Sequence, residues 1–125
     1  MKYRNLLLID DDEEDIELFL HAVSLIDDTI ICKTSLNARA SFENLKNDDW
    51  IPDLIFLDLH MAPVSGQDFL DMIKADDVLK SIPVIIMSTH SGLPMQQATK
   101  DHGAMDYLTK PNSFTGLVSI LSTIL

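Results

Sequence analysis

Apolar residues along this chain follow two alternating patterns. Leu6–Ile9, Leu54–Leu57 and Ile82–Met87 are short runs that are apolar almost throughout. Runs of this length, closed off by polar residues rather than alternating with them, suit strands buried on both faces of a parallel sheet. A more polar run, Thr29–Thr34, reads as a strand nearer an edge, and Ala104–Thr109 as a short last strand. Between these runs the apolar spacing becomes that of a helix. Ile16, Phe19, Leu20 and Val23 fall at i, i+3, i+4 and i+7. Asn37 is a candidate cap ahead of Ala38, Phe42 and Leu45, and Phe69, Leu70 and Ile73 mark a third inward face. A weaker helix over about Pro94–His102 stops at Gly103, a favoured residue just past a helix end. The last helix starts near Ser113 and is predicted to bury Phe114, Leu117, Leu121 and Ile124.

Strictly alternating strands and helices require parallel pairing through right-handed crossovers, with helices on both faces. The prediction is a doubly wound α/β fold: a five-stranded parallel sheet in the order 2-1-3-4-5, between two helical layers. In such sheets chemistry sits just outside the carboxyl ends of the strands. Polar residues stand at those ends. Asp10 and Asp11 follow the first strand, Asp58 the third, Ser88 the fourth and Lys110 the fifth. With strands 1, 3, 4 and 5 adjacent, these five side chains are predicted to meet at one site.

Composition narrows the function. The 125 residues carry 20 Asp+Glu against 9 Lys+Arg, a formal net charge of -11. Such a surface repels phosphate backbones and anionic lipid, so direct nucleic-acid or membrane binding is not expected. Cys32 is the sole cysteine, which excludes an intramolecular disulfide and fits a reducing, cytoplasmic setting. No apolar run approaches the ~20 residues of a membrane helix, and no signal peptide is evident. The chain reads as one domain over 1–125, without repeats or linkers.

Each polar residue also has a plain structural reading. Acids in a first helical turn complement the helix dipole, a role assigned to Asp12 through Asp15. Asp10 and Asp11 come too early for it. Lys110 taken alone is a solvated lysine, and Ser88 alone is uninformative. His21, His60, His90 and His102 show no metal-ligand spacing, and Cys32 reads as a small buried hydrophobe. Val118 and Ile120 lie off the last helix's core stripe and suggest a contact face on the side of the fourth and fifth helices, with a homodimer as one possible use.

Taken jointly, the acidic pair Asp10-Asp11, the strand-end Asp58, the loop to Gly66, Ser88, Tyr107 and Lys110-Pro111 resemble the receiver domains of two-component response regulators, the CheY-like superfamily. The resemblance covers essentially the whole chain. It implies that Asp58 accepts a phosphoryl group from a phosphohistidine on a sensor histidine kinase or a histidine phosphotransfer protein. It implies Mg²⁺, with Asp11 and Asp58 as direct ligands, Asp10 acting through water and His60 contributing its backbone carbonyl. Lys110 and Ser88 would contact the phosphoryl oxygens. Ser88 and Tyr107 would form the switch, with Tyr107 turning inward, and the face of helix 4, strand 5 and helix 5 would meet a downstream protein. The chemistry is sound: clustered carboxylates repel, a hard cation relieves them, and phosphoryl transfer depends on positioning and electrostatics.

The chain departs from the family pattern at Ala62, where Pro is usual and Pro63 follows instead. It departs again at Ser88, more often Thr, and at Thr89, more often Ala. His60 and His90 flank the site. Two alternatives stay open on the sequence. One is a degenerate receiver that binds partners without phosphorylation. The other is a different class, a flavodoxin-type protein or a haloacid-dehalogenase-like phosphatase, whose D-x-D on strand one is formally met by Asp10 and Asp12.

Overall fold

A computed structural model describes residues 3–61, 64–89 and 92–125. The strands are β1 (Asn5–Ile9), β2 (Ile31–Ser35), β3 (Leu54–Asp58), β4 (Val84–Ser88) and β5 (Asp106–Thr109). The helices are α1 (Glu13–Ile26), α2 (Ala38–Asn47), α3 (Gly66–Ala75), α4 (Leu93–Asp101) and α5 (Phe114–Ser122). All strand pairs are parallel, as the alternation of elements requires, and the order is the expected β2-β1-β3-β4-β5.

Alternation along the strands splits the core into two layers. Leu7, Ile9, Ile55, Leu57, Val84 and Ile86 face α2 and α3, where Phe69, Leu70 and Ile73 are fully buried. Leu6, Leu8, Leu54, Phe56, Ile85 and Met87 face α1 and α5, where Phe19 meets Phe56 edge-on at 5.0 Å. β3 is buried along its whole length, whereas β2, at the sheet edge, is mostly exposed.

Several boundaries differ from the sequence expectation, each for a local reason. β2 starts at Ile31 because Thr29 is held in a turn by the Asp27 carboxylate, which accepts its N–H at 2.9 Å. β4 starts at Val84, after a short 3-10 turn over Leu79–Ser81 and Pro83, which has no N–H to pair. Leu20 is 36% exposed, because Ala22 and Val23 fill the inner face of α1 with Ile16 and Phe19. On α5 only Leu121 is fully buried, and Phe114, Leu117 and Ile124 are partly so. Val118 and Ile120 pack into the α1–α5 layer, since α5 lies against α1 as well as the sheet. Both stay half-buried, so part of each side chain remains at the surface. Cys32 is half-buried, with its thiol pushed up to about 12 by burial, which fits an inert packing residue.

Candidate functional site

The site grows out of strand ends. Leu6 and Leu8 point toward the α1–α5 layer, and Asp10 continues that series one step past β1. Leu54 and Phe56 lead to Asp58 in the same way, and Leu108 leads to Lys110. The register pairs Ile9 with Leu57 and Ser88 with Thr109, so these side chains emerge at one edge of the sheet.

Backbone contacts fix each position. The Asp10 N–H donates to the Ser35 carbonyl at 3.0 Å, tying this end of β1 to β2. Asp10 Oδ1 accepts the Asp12 N–H at 3.0 Å, leaving Oδ2 for the site. Asp12 is the N-cap of α1, with Oδ1 accepting from Glu14 and Asp15. Its Oδ1 is thus engaged in capping the helix, whereas Asp10 Oδ2 turns to Lys110. Asp58 Oδ1 accepts the His60 N–H at 3.2 Å. The Lys110 N–H donates to the Ser88 carbonyl at 2.6 Å, joining the β4 and β5 ends. Gly66 closes the loop after β3 through its N–H to the Leu59 carbonyl at 3.0 Å. A Cβ at Gly66 would overlap the Asp58 carbonyl oxygen and stand 2.7 Å from Leu59 Cα, so the close approach requires glycine.

The result is a compact acidic cluster. Asp10, Asp11 and Asp58 each offer an oxygen within 4.8 Å of the others. Lys110 Nζ lies 2.9 Å from Asp10 Oδ2 and 3.8 Å from Asp58 Oδ2, so it stands on the same rim as both. Asp10 and Asp58 are buried, while Asp11 is open to solvent. Burial pushes the Asp58 carboxyl up to about 6; Asp10 and Asp11 add to that rise, against the Lys110 charge and the His60 N–H. For Lys110, burial favours proton loss, but hydrogen bonds to Asp10 and Asp15, with the charges of Asp10 and Asp58, raise its affinity above the ordinary lysine value. The triad of Asp10, Asp11 and Asp58 gathers three carboxylates, Lys110 pairs with Asp10 and Asp58 of them, and all the donor atoms are hard oxygens. This donor set fits a divalent cation such as Mg²⁺.

The remaining predicted site residues are placed as follows. Ser88 is fully buried at the end of β4, one residue beyond the Asp58–Met87 register pair. Tyr107 is 6% exposed and already lies inward, in the layer with Leu57 and Ile86. His60 is exposed beside Asp58, and Thr89 is exposed after β4. Ala62, Pro63 and His90 lie outside the described residues.

Two acids escaped the sequence reading. Asp53 Oδ2 accepts the N–H groups of Arg4 and Asn5, both at 2.9 Å, and so pins the start of β1 to the start of β3. Asp15, assigned only to the helix dipole, accepts from Lys110 Nζ at 3.0 Å. The signal was available, because helical side chains lean toward the N-terminus and a first-turn acid therefore leans toward the strand end. A groove of about 260 Å³ runs beside this pair, between α1 and α5, lined by Leu18, Phe19, Phe114 and Leu117 among others.

A doubly wound sheet with a carboxylate triad and a lysine at its carboxyl edge defines a receiver-type α/β domain. The chain belongs to the response regulator receiver domain family, whose model matches residues 6–122. It is thus a receiver domain of two-component signalling. Among curated relatives, the regulatory protein LuxO of Vibrio vulnificus (strain YJ016) is 36% identical over 73 residues, covering 58% of this chain and 15% of LuxO. The sensor histidine kinase CheAY of Helicobacter pylori is 27% identical over 115 residues, covering 92% of this chain and 14% of CheAY. The chain therefore spans only a small part of these relatives. Among solved structures, the phosphorylated cyanobacterial phytochrome response regulator RcpA superposes with a TM-score of 0.89 at 26% identity, covering 98% of this chain and 91% of RcpA. The Mn(2+)-bound form of response regulator Rcp1 gives a TM-score of 0.82 at 25% identity, covering 97% of this chain and 91% of Rcp1. No helix among the described residues is long and apolar enough to cross a membrane.

Proposed function

We propose that Asp58 is the phosphoacceptor of a two-component or phosphorelay pathway. The observation that carries this reading is the Asp10–Asp11–Asp58 cluster, with the Lys110 ammonium 3.8 Å from Asp58 Oδ2. The solved relatives add support: RcpA is described in a phosphorylated form and Rcp1 with Mn²⁺.

In this reading an Asp58 oxygen attacks the phosphorus of a phosphohistidine carried by a sensor kinase or a phosphotransfer protein. The O–P bond forms as the N–P bond breaks, and the electron pair returns to the imidazole. Asp10, Asp11 and Asp58, with the His60 carbonyl, would hold Mg²⁺. The bound ion supplies the positive charge that lets an anionic carboxylate meet an anionic phosphoryl group. Lys110 offers a point charge to one phosphoryl oxygen and Ser88 a hydroxyl donor to another, placed before the reaction begins. Water later hydrolyses the acyl phosphate, releasing inorganic phosphate and restoring the carboxylate.

The acyl phosphate adds negative charge that Ser88 and Lys110 contact directly, and this biases the β4 and β5 ends toward one packing. Tyr107, inward here, would be locked inward by that packing. Only Thr99 of α4 is buried, Leu93 is 77% exposed, and Met105 just before β5 is 48% exposed. An element this lightly anchored shifts at low cost. The α4–β5–α5 face is thus the proposed surface for a downstream protein or a second copy of the chain. The acidic surface and lone cysteine fit a cytoplasmic setting without direct nucleic-acid contact.

The test is intact-mass spectrometry after incubation with acetyl phosphate and Mg²⁺. One acid-labile phosphoryl group is expected on the native chain and none on Asp58→Asn or with excess chelator. Equal labelling of Asp58→Asn would remove Asp58 as the acceptor.

A further inference from the structure

The lysine that faces Asp58 is held by a carboxylate outside the candidate metal cluster. We infer that Asp15 is a positioning residue for phosphoryl transfer, anchoring Lys110 on the rim of the site while Asp10 is shared with a cation. This rests on the reading of Asp58 as phosphoacceptor.

An ammonium has three N–H donors. Two are committed, to Asp10 Oδ2 at 2.9 Å and to Asp15 Oδ2 at 3.0 Å. Asp58 Oδ2, at 3.8 Å, lies beyond hydrogen-bond range. The lysine therefore stands clamped between two acids with one donor left over, close to where a phosphoryl group on Asp58 would project. Its two anchors are not equivalent. Asp10 belongs to the triad whose oxygens lie within 4.8 Å, so a cation there withdraws part of its charge from Lys110. Asp15 sits on α1, outside that triad, and its hold does not weaken when the ion arrives. Without Asp15, a lysine on four flexible methylenes loses its fixed geometry when the metal binds, and positioned charge is what phosphoryl transfer requires.

Helix-dipole stabilisation is the competing role for Asp15, and Glu14 provides the control. It occupies the same first turn and pairs with no lysine among the described residues. The variants are Asp15→Ala, Asp15→Glu and Glu14→Ala, each compared with the native chain. Two measurements apply to all of them: the rate of acid-labile labelling by acetyl phosphate at saturating Mg²⁺, and the ¹⁵N signal of the Lys110 ammonium without any phosphodonor. In Asp15→Ala the labelling rate should fall about tenfold, with the Mg²⁺ affinity measured by calorimetry unchanged within about twofold. The ammonium signal should lose the protection from exchange that the two carboxylates confer. Asp15→Glu should restore most of both, and Glu14→Ala should match the native chain. A native labelling rate and a native ammonium signal in Asp15→Ala would overturn the inference. So would equal losses in Glu14→Ala, which would reduce Asp15 to a dipole residue. If the native chain took up no phosphate at all, the acceptor reading would fail instead, and the ammonium signal would still decide whether Asp15 anchors Lys110.

Discussion

Burial disfavours the ionised form of the Asp58 carboxyl. Its proton affinity is raised from 3.8 to about 6, chiefly by burial, with Asp10 and Asp11 adding to it. A carboxyl with a higher folded-state value binds its proton more tightly when folded. Below about pH 4 both states carry the proton and there is no penalty. Between about pH 4 and 6 the folded state binds more protons, so stability falls as pH rises; above pH 6 the penalty is complete. A shift of this size corresponds to roughly 3 kcal/mol, and partial solvent screening reduces it to on the order of 1–2 kcal/mol. Asp58→Asn should therefore stabilise the metal-free protein by that amount at pH 7.5 and flatten the decline between pH 4 and 6. Urea unfolding at pH 4, 6 and 7.5 measures both, and an Asn variant less stable than native at pH 7.5 would contradict the burial argument. At this scale the sequence was informative where a residue ended a strand. Asp10, Asp58 and Lys110 each continue an apolar series that faces one layer: Leu6 and Leu8, Leu54 and Phe56, and Leu108. Asp15 was harder to see, because a first-turn acid already has a sufficient local purpose in the dipole.

Strands proved easier to read than helix faces. A run such as Leu54–Leu57 admits one reading once it is flanked by helices, since both its faces must be covered. A helix face depends on what it meets. Leu20 lost its place to Ala22 because the side of α1 facing the sheet is set by docking against both β-strands and α5. Val118 and Ile120, off the predicted stripe, pack partly into the same contact and stay half-buried. Turn chemistry decided where β2 and β4 begin, through the Asp27 carboxylate at Thr29 and the missing N–H of Pro83. The junction of β3 with α3 stands next to the proposed acceptor. The Gly66 backbone lies against the Asp58 carbonyl so closely that no side chain fits. Gly66→Ala must push the α3 start away from the end of β3. The expected cost is about 1–3 kcal/mol, together with weaker Mg²⁺ binding, because the Asp58 carboxylate moves with its backbone. Thermal melting with and without Mg²⁺ tests this, and a variant with native melting and native metal response would show that the loop absorbs the methyl group.

On the scale of the whole molecule, the sheet order places four strand ends along one edge, and that single fact turns residues up to 100 positions apart into neighbours. The strict alternation of elements predicted a parallel, doubly wound sheet, and the order itself was taken from the flavodoxin-like arrangement of such sheets. Spacing alone left open which acids share a cation and which serve helices, because that depends on distances of a few ångströms. The net charge of -11 makes the folded chain a poor partner for polyanions and a ready one for cations and basic surfaces. The central claim is that the acidic edge exists to make an acyl phosphate at one residue. Borohydride reduces an aspartyl phosphate to homoserine, and tandem mass spectrometry reads the converted position directly. After acetyl phosphate and Mg²⁺, homoserine is expected at position 58 and nowhere else. Homoserine at position 10, 11 or 15, or none in a protein that carries acid-labile phosphate, would contradict the account.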